Sequence, residues 1–315
     1  MLPVEECPVH ADAGNRFAFE VRDALLRAGI PGATADGQRG VARHIVVRVS
    51  ENTGELLGTL VVTENVKALR GVTRDVETRL LPAGSHGPRP RLGFHLNVHD
   101  RPDPFLFGPE TRRLFGSDEI REQVAGVSYL VSPTTFFQTN VRAADVLVGV
   151  VMDALSDNSS QRVLDLYSGV GLFAIPLAKA GRTVTAVEEN REAVSSAAAA
   201  LRRNGVDPSA CRLIAARVED ADVRLGRAAW DAVVLDPPRQ GCPPRVLDWV
   251  FRNLRPARIV YVSCDPDALA RDLARVAGTG YHFERVQPID MFPHTEHVET
   301  VAVLRRGQQA VGSRQ

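Results

Sequence analysis

Cys264 sits in the run Tyr261-Val262-Ser263-Cys264-Asp265-Pro266, between a strand-like stretch (258–262) and a helix-like one (266–276). A thiol at a helix N-terminus feels the partial positive charge of unpaired N–H groups, which favours the thiolate. Pro266 suits a first helical turn. A reactive nucleophile and a small buried apolar residue both fit this position. The other cysteines, Cys7, Cys211 and Cys242, are scattered without a Cys-x-x-Cys pair, which argues against a disulfide framework. Acidic candidates for proton transfer cluster near the end of the chain, in Phe292-Pro293-His294-Thr295-Glu296-His297-Val298-Glu299. Glu299 leads into a final strand; His294, Glu296 and His297 compete with it. Two histidines at this spacing lack the further ligands a metal site needs.

A second constellation begins where strand 163–166 runs into Tyr167-Ser168-Gly169-Val170-Gly171-Leu172-Phe173-Ala174. The glycines allow a tight turn and close backbone approach to a ligand at the next helix N-terminus. The spacing also fits the GxGxxA pattern of dinucleotide-binding enzymes. Glu188 ends the next strand, where a carboxylate can accept both ribose hydroxyls of an adenosine, in NAD and S-adenosylmethionine alike. Asp236-Pro237-Pro238-Arg239 follows strand 231–235, and its prolines remove two backbone donors and stiffen the loop. A dinucleotide dehydrogenase has no need of this element. In amino-group methyltransferases an aromatic follows the related prolines; Arg239 occupies that place here and points away from exocyclic amines.

The elements that must position these residues divide near residue 135. The first part reads as a small α+β domain (1–135): a helix over 15–28, strands over 44–49, 56–62, 91–98 and 127–132, a Pro/Gly-rich loop over 82–90, and an antiparallel sheet. The second part (136–315) reads as a βα series. Helices are expected over 141–155, 172–179, 191–204, 243–253 and 266–276. Strands are expected over 162–166, 183–188, 211–215, 232–235, 258–262, 281–286 and 297–304. This alternation predicts an α/β, doubly wound, Rossmann-like domain that binds ligands at the carboxyl ends of its strands. The 315 residues carry 38 basic and 38 acidic side chains, so net charge neither supports nor excludes a nucleic-acid partner. No apolar run is long enough for a membrane span, and the start lacks a secretory pattern; the expectation is a cytoplasmic protein with no membrane partner.

The residue types suit one difficult reaction. C5 of uracil is a poor nucleophile, and thiolate addition at C6 turns C5 into an enolate carbon able to attack a sulfonium methyl group. A base must then remove the C5 proton. The five stretches 136–140 (Phe-Phe-Gln-Thr-Asn), 165–171, 235–241, 262–266 and 292–299 resemble, in order, the RNA 5-methyluridine (uracil-C5) methyltransferases of ribosomal and transfer RNA. The resemblance covers about the last 180 residues. It implies S-adenosyl-L-methionine as methyl donor, Cys264 as nucleophile and Glu299 as base, with Gln138, Tyr167, Glu188 and Asp236 against the donor. The expected partner is structured RNA, ribosomal ahead of transfer, flipped at the target base and held partly by Arg43, Arg48, Arg89 and Arg91 of the first domain. A monomer is expected.

Family members usually begin with an RNA-binding barrel, which is not expected within this sequence, and many hold a [4Fe–4S] cluster through four cysteines. Cys7, in Cys7-Pro8-Val9-His10, resembles the last of those four. One cysteine cannot hold a cluster, so the other three are expected upstream of Met1, or the cluster is lost. Three other readings remain at this point. A cytosine-C5 methyltransferase would need a cysteine directly after the loop prolines, whereas Cys242 lies four residues beyond Pro238. The others are a dinucleotide-binding oxidoreductase and a non-catalytic RNA-binding protein.

Overall fold

The computed structural model describes residues 6–34, 39–81, 91–101, 103, 105–157, 161–226 and 228–307. The chain forms two compact units. One comprises Met1–Glu122 and Leu130–Thr135; the other comprises Gln123–Tyr129 and Phe136–Gln315. The proposed 82–90 loop and Arg89 lie outside the described residues.

In the first unit, α1 (Asp12–Arg27) buries Phe17, Val21, Ala24 and Leu25, a stripe at helical spacing. Strands β1 (Ala42–Val49) and β2 (Leu56–Val62) pair antiparallel, and α2 (Leu69–Leu80) then leads to β3 (Leu92–Val98) and β4 (Glu110–Gly116). The sheet order is β1-β2-β3-β4, with β2 and β3 parallel. The expected antiparallel sheet is therefore mixed. A parallel pair needs a crossover, and α2 supplies it; with only Leu69, Val72 and Val76 buried, α2 left a weak mark in the sequence. Phe17, Phe94 and Phe115 pack edge-to-face and tilted in the core, with ring centroids 5.3 and 5.6 Å apart. Gly58 lets α1 sit directly on β2, because a Cβ there would collide with the Phe17 ring. The expected RNA-contacting role of Arg48 is not supported: its guanidinium is largely buried and donates to Thr135 O at 2.9 Å. Arg43 is committed to the carbonyls of His99 and Arg101, and exposed Arg91 lies 4.0 Å from Glu55.

A hairpin of β5 (Ile120–Val124) and β6 (Val127–Val131) contributes residues to both units. The second unit continues with α3 (Val141–Ala154), β7 (Arg162–Leu166), α4 (Ala174–Lys179), β8 (Thr183–Glu188), α5 (Arg191–Arg203) and β9 (Cys211–Ala215). Then come α6 (Ala221–Leu225), β10 (Ala232–Leu235), α7 (Pro244–Asp248), β11 (Arg258–Ser263), α8 (Pro266–Arg275), β12 (Tyr281–Ile289) and β13 (Glu299–Arg306). A π-helical turn, Trp249–Leu254, completes the helix expected over 243–253.

The sheet order is β12-β13-β11-β10-β7-β8-β9. Strands β11, β10, β7, β8 and β9 are parallel, and β13 runs antiparallel between β11 and β12. β10 and β11 are buried at every residue, as strands covered on both faces are. From β7 the chain winds one way to β8 and β9, and later the other way to β10 and β11. The crevice of a doubly wound sheet opens at such a reversal, beyond the carboxyl ends of the strands.

Candidate active site

A cavity of about 720 Å³ occupies that crevice, and all its lining residues belong to the second unit. Gln138, Tyr167, Glu188, Asp236, Cys264 and Glu299 all line it. Four of them follow or end parallel strands: Tyr167 after β7, Glu188 at the end of β8, Asp236 after β10, Cys264 after β11. Glu299 arrives by the opposite route. Because β13 is antiparallel to β11, its first residues lie beside the end of β11, with Thr300 opposite Ser263.

The glycine loop is set by backbone conformation. Tyr167, Gly169 and Gly171 have φ of +64°, +54° and +85°. At Gly171 a Cβ would stand 2.9 Å from Ile175, whereas at Gly169 it would meet only open space. Glu188 holds this wall: it accepts from the N–H groups of Gly169 (3.0 Å) and Asn190 (2.7 Å), and Asn190 in turn caps α5. The Tyr167 phenol points into the apolar core, and burial drives its pKa upward. Its contribution to the cavity wall therefore comes from the loop it begins more than from its hydroxyl.

The stretch 136–140 has a divided role. Phe137 is buried against Tyr129, with centroids 5.3 Å apart, while Phe136 is 74% exposed at the cavity. Asn140 caps α3 through its carbonyl and donates to Met291 O at 3.1 Å, tying this stretch to the segment that carries Glu299.

Besides Tyr167, three cavity-lining groups have raised pKa values. Glu299 is only 4% exposed, and burial raises it to about 7. Asp236 is raised well above the carboxylate range, first by burial and then by Glu299. Cys264 is also raised, by burial first and then by Glu299 and Asp236. The thiolate-favouring environment expected from the helix N-terminus is thus reversed in the free protein. The helix end itself is capped by Asp265, which accepts from Asp267 N–H and Ala268 N–H. Arg239 pulls Cys264 the other way; its guanidinium lies 3.6 Å from Asp265 and 3.2 Å from His297 Nδ1.

The competing groups separate clearly. His294 and Glu296 are exposed and away from the cavity lining, while His297 lines it beside Arg239. Cys242 is buried outside the lining, and burial pushes its thiol up to about 12. Among the described residues no group of three or more His, Cys, Asp or Glu side chains could hold a metal. Cys7 is a free, half-buried cysteine whose backbone bonds to Asn15, and no described group of His, Cys, Asp or Glu side chains around it fits a [4Fe–4S] cluster. No described helix is long and apolar enough to cross a membrane.

Two acids were given no role by the sequence reading. Asp165 is fully buried under the glycine loop and raised to about 8, mainly by burial. Asp272, on α8, bonds the loop after Asp236. Asp165 opens the stretch 165–171 but carried no assigned role there, and Asp272 is one acid among many in the sequence.

Residues 111–307 match the family model of the tRNA (uracil-5-)-methyltransferases. The chain belongs to this family. It is 36% identical over 308 residues to an uncharacterized RNA methyltransferase of Gloeobacter violaceus, covering 97% of this chain and 64% of that one. A Thermosynechococcus vestitus relative of the same description is 38% identical over 305 residues, covering 96% and 65%. The chain therefore spans about two-thirds of the length of these curated relatives. Among solved structures, the Pyrococcus abyssi tRNA (uracil-54, C5)-methyltransferase in complex with S-adenosyl-L-homocysteine superimposes with a TM-score of 0.76. That match has 30% identity and covers 96% of this chain and 70% of that one.

Proposed function

We propose that this chain methylates C5 of a uridine in structured RNA, with Cys264 as nucleophile and Glu299 as base. One observation carries the reading: Cys264, Asp236 and Glu299 line a single cavity with the glycine loop and Glu188. The donor wall fits S-adenosylmethionine. Glu188 offers a carboxylate already oriented by two N–H groups, and Gly169 leaves open space where a side chain would intrude. When bound, that cosubstrate supplies an electrophilic methyl group on a sulfonium.

Cys264 gives its proton to solvent water and its sulfur pair forms a bond to C6 of the flipped base, moving the C5=C6 pair into an enolate. The enolate carbon C5 takes the methyl group, and the donor's S–CH3 bonding pair leaves with its sulfur. Glu299 then accepts the C5 proton; the released pair rebuilds C5=C6 and expels the Cys264 thiolate. A base raised to about 7 is matched to proton transfer near neutrality. Arg239, adjacent to Asp265 and His297, places the positive charge that opposes the two acids around Cys264.

The buried, high-pKa Cys242 speaks against a second nucleophile in the proline loop and hence against cytosine-C5 chemistry. The test is to incubate the protein and S-adenosylmethionine with total RNA from cells lacking the gene, and to map 5-methyluridine in ribosomal and transfer RNA. Appearance of the modification at defined uridines supports the reading; its absence, with tritium retained in C5-labelled RNA, refutes it.

A further inference from the structure

Asp272 is a buried acid that the chemistry above does not use. It is 4% exposed and sits eight residues after Cys264 on α8. A buried carboxyl group is costly unless its oxygens are bonded. Here one oxygen, Oδ2, accepts two hydrogen bonds: from Tyr261 O–H at 2.6 Å and from Cys242 N–H at 2.7 Å. Tyr261 lies on β11, three residues before Cys264. Cys242 closes the loop that begins with Asp236. One carboxyl oxygen thus joins the strand before the thiol, the helix after it and the acidic proline loop facing it.

The rest of the loop is built around this junction. Asp236 N–H donates to Leu166 O at 3.3 Å, and Arg271 on α8 donates to Gln240 O at 2.6 Å. Gly241 has φ +83°, and a Cβ there would stand 2.5 Å from Asp272 Oδ2. Glycine is therefore required both by the turn and by the approach of the acid.

We propose that Asp272 is a positioning residue that fixes the Asp236–Cys242 loop relative to Cys264. For its kinetic consequence the proposal rests on the uridine-C5 reading; the anchor itself stands apart from it. Asp236 and Arg239 both ride on this loop, so releasing it misplaces the acid and the cation that surround the thiol.

The test compares wild type with Asp272→Ala, Asp272→Asn and Tyr261→Phe. Amide exchange over residues 236–243 reads the anchor, and tritium release per S-adenosylhomocysteine-binding molecule reads its consequence. Asp272→Ala should speed loop exchange and lower kcat by about tenfold or more, the order that small misplacements cost, with KM for RNA nearly unchanged. An amide oxygen can still accept both donors, so Asp272→Asn should restore kcat to within about threefold of wild type. Tyr261→Phe removes a single O–H and carries the test if the alanine variant does not fold; it too should speed loop exchange. The alkylation profile of Cys264, resolved by peptide mapping, should move to lower pH in Asp272→Ala, because the released loop carries Asp236, which raises the thiol more than Arg239 lowers it. Unchanged loop exchange in folded Asp272→Ala and Tyr261→Phe overturns the anchor. Faster exchange with unchanged kcat and an unchanged alkylation profile overturns the positioning role. A wild type inactive on every RNA refutes the uridine-C5 reading instead, and exchange with alkylation still decides the role of Asp272.

Discussion

Replacing Glu299 by glutamine should alter how stability depends on pH, by an amount the structure sets. Glu299 is 4% exposed, and its carboxyl is raised from 4.5 to about 7 by burial. Between those values the native state keeps a proton that the unfolded chain has lost. The stability from this group is fully present below about 4.5 and is lost as pH rises to about 7. At 1.36 kcal/mol per pKa unit, the loss relative to the acid limit is about 0.8 kcal/mol at pH 5 and about 3.3 kcal/mol at pH 8. Glutamine has a similar shape and no such proton. The stability of Glu299→Gln relative to wild type should therefore improve by about 2.5 kcal/mol between pH 5 and pH 8. Asp236, raised in part by Glu299, is relieved in the same variant, which adds in the same direction. Urea titrations at the two pH values measure this. The protein's two tryptophans, Trp230 and Trp249, both belong to the second unit, so their fluorescence reports the right part of the molecule. A difference between variants that stays constant within about 0.5 kcal/mol, the scale of an ordinary surface substitution, refutes the buried, proton-holding Glu299.

Glu299→Gln should also accumulate a covalent protein–RNA adduct on denaturing gels, because addition and methylation proceed while elimination stalls; Cys264→Ala should form none. The methylation rate should rise with pH through about 7 as Glu299 loses its proton and keep rising as the raised Cys264 thiol ionises; a rate that falls over this range refutes the assigned roles. S-adenosylhomocysteine should raise the melting temperature of the wild type, NAD should not, and Glu188→Ala should weaken the shift by freeing the N–H groups of Gly169 and Asn190. Cys242→Ala should keep nearly full activity, since that sulfur is buried outside the cavity.

The unit that bears the cavity was readable because its signals are local. Parallel strands buried on both faces leave apolar runs, helices leave caps, and the glycine and proline loops fall where strands end. Gly169, Asp236 and Cys264 stand out for that reason. The first unit was harder. The helix α2 buries only three residues along one face, so the crossover that makes β2 and β3 parallel could not be read from pattern alone.

By itself the sequence determined which residue types were present and in what order: one thiol between a strand and a helix, an acid before two prolines, an acid leading the last strand. Only the tertiary structure decided which of them meet. Antiparallel insertion of β13 beside β11 brings Glu299 to the strand end that carries Cys264, across 35 residues of chain. The same packing reversed the electrostatic expectation for the thiol. Desolvation and neighbouring charge depend on what lies around a group in space, and both acids beside Cys264 come from distant segments. Asp272 makes the same point: its two hydrogen-bond donors lie 11 and 30 residues away in sequence, and only the fold places them on one oxygen.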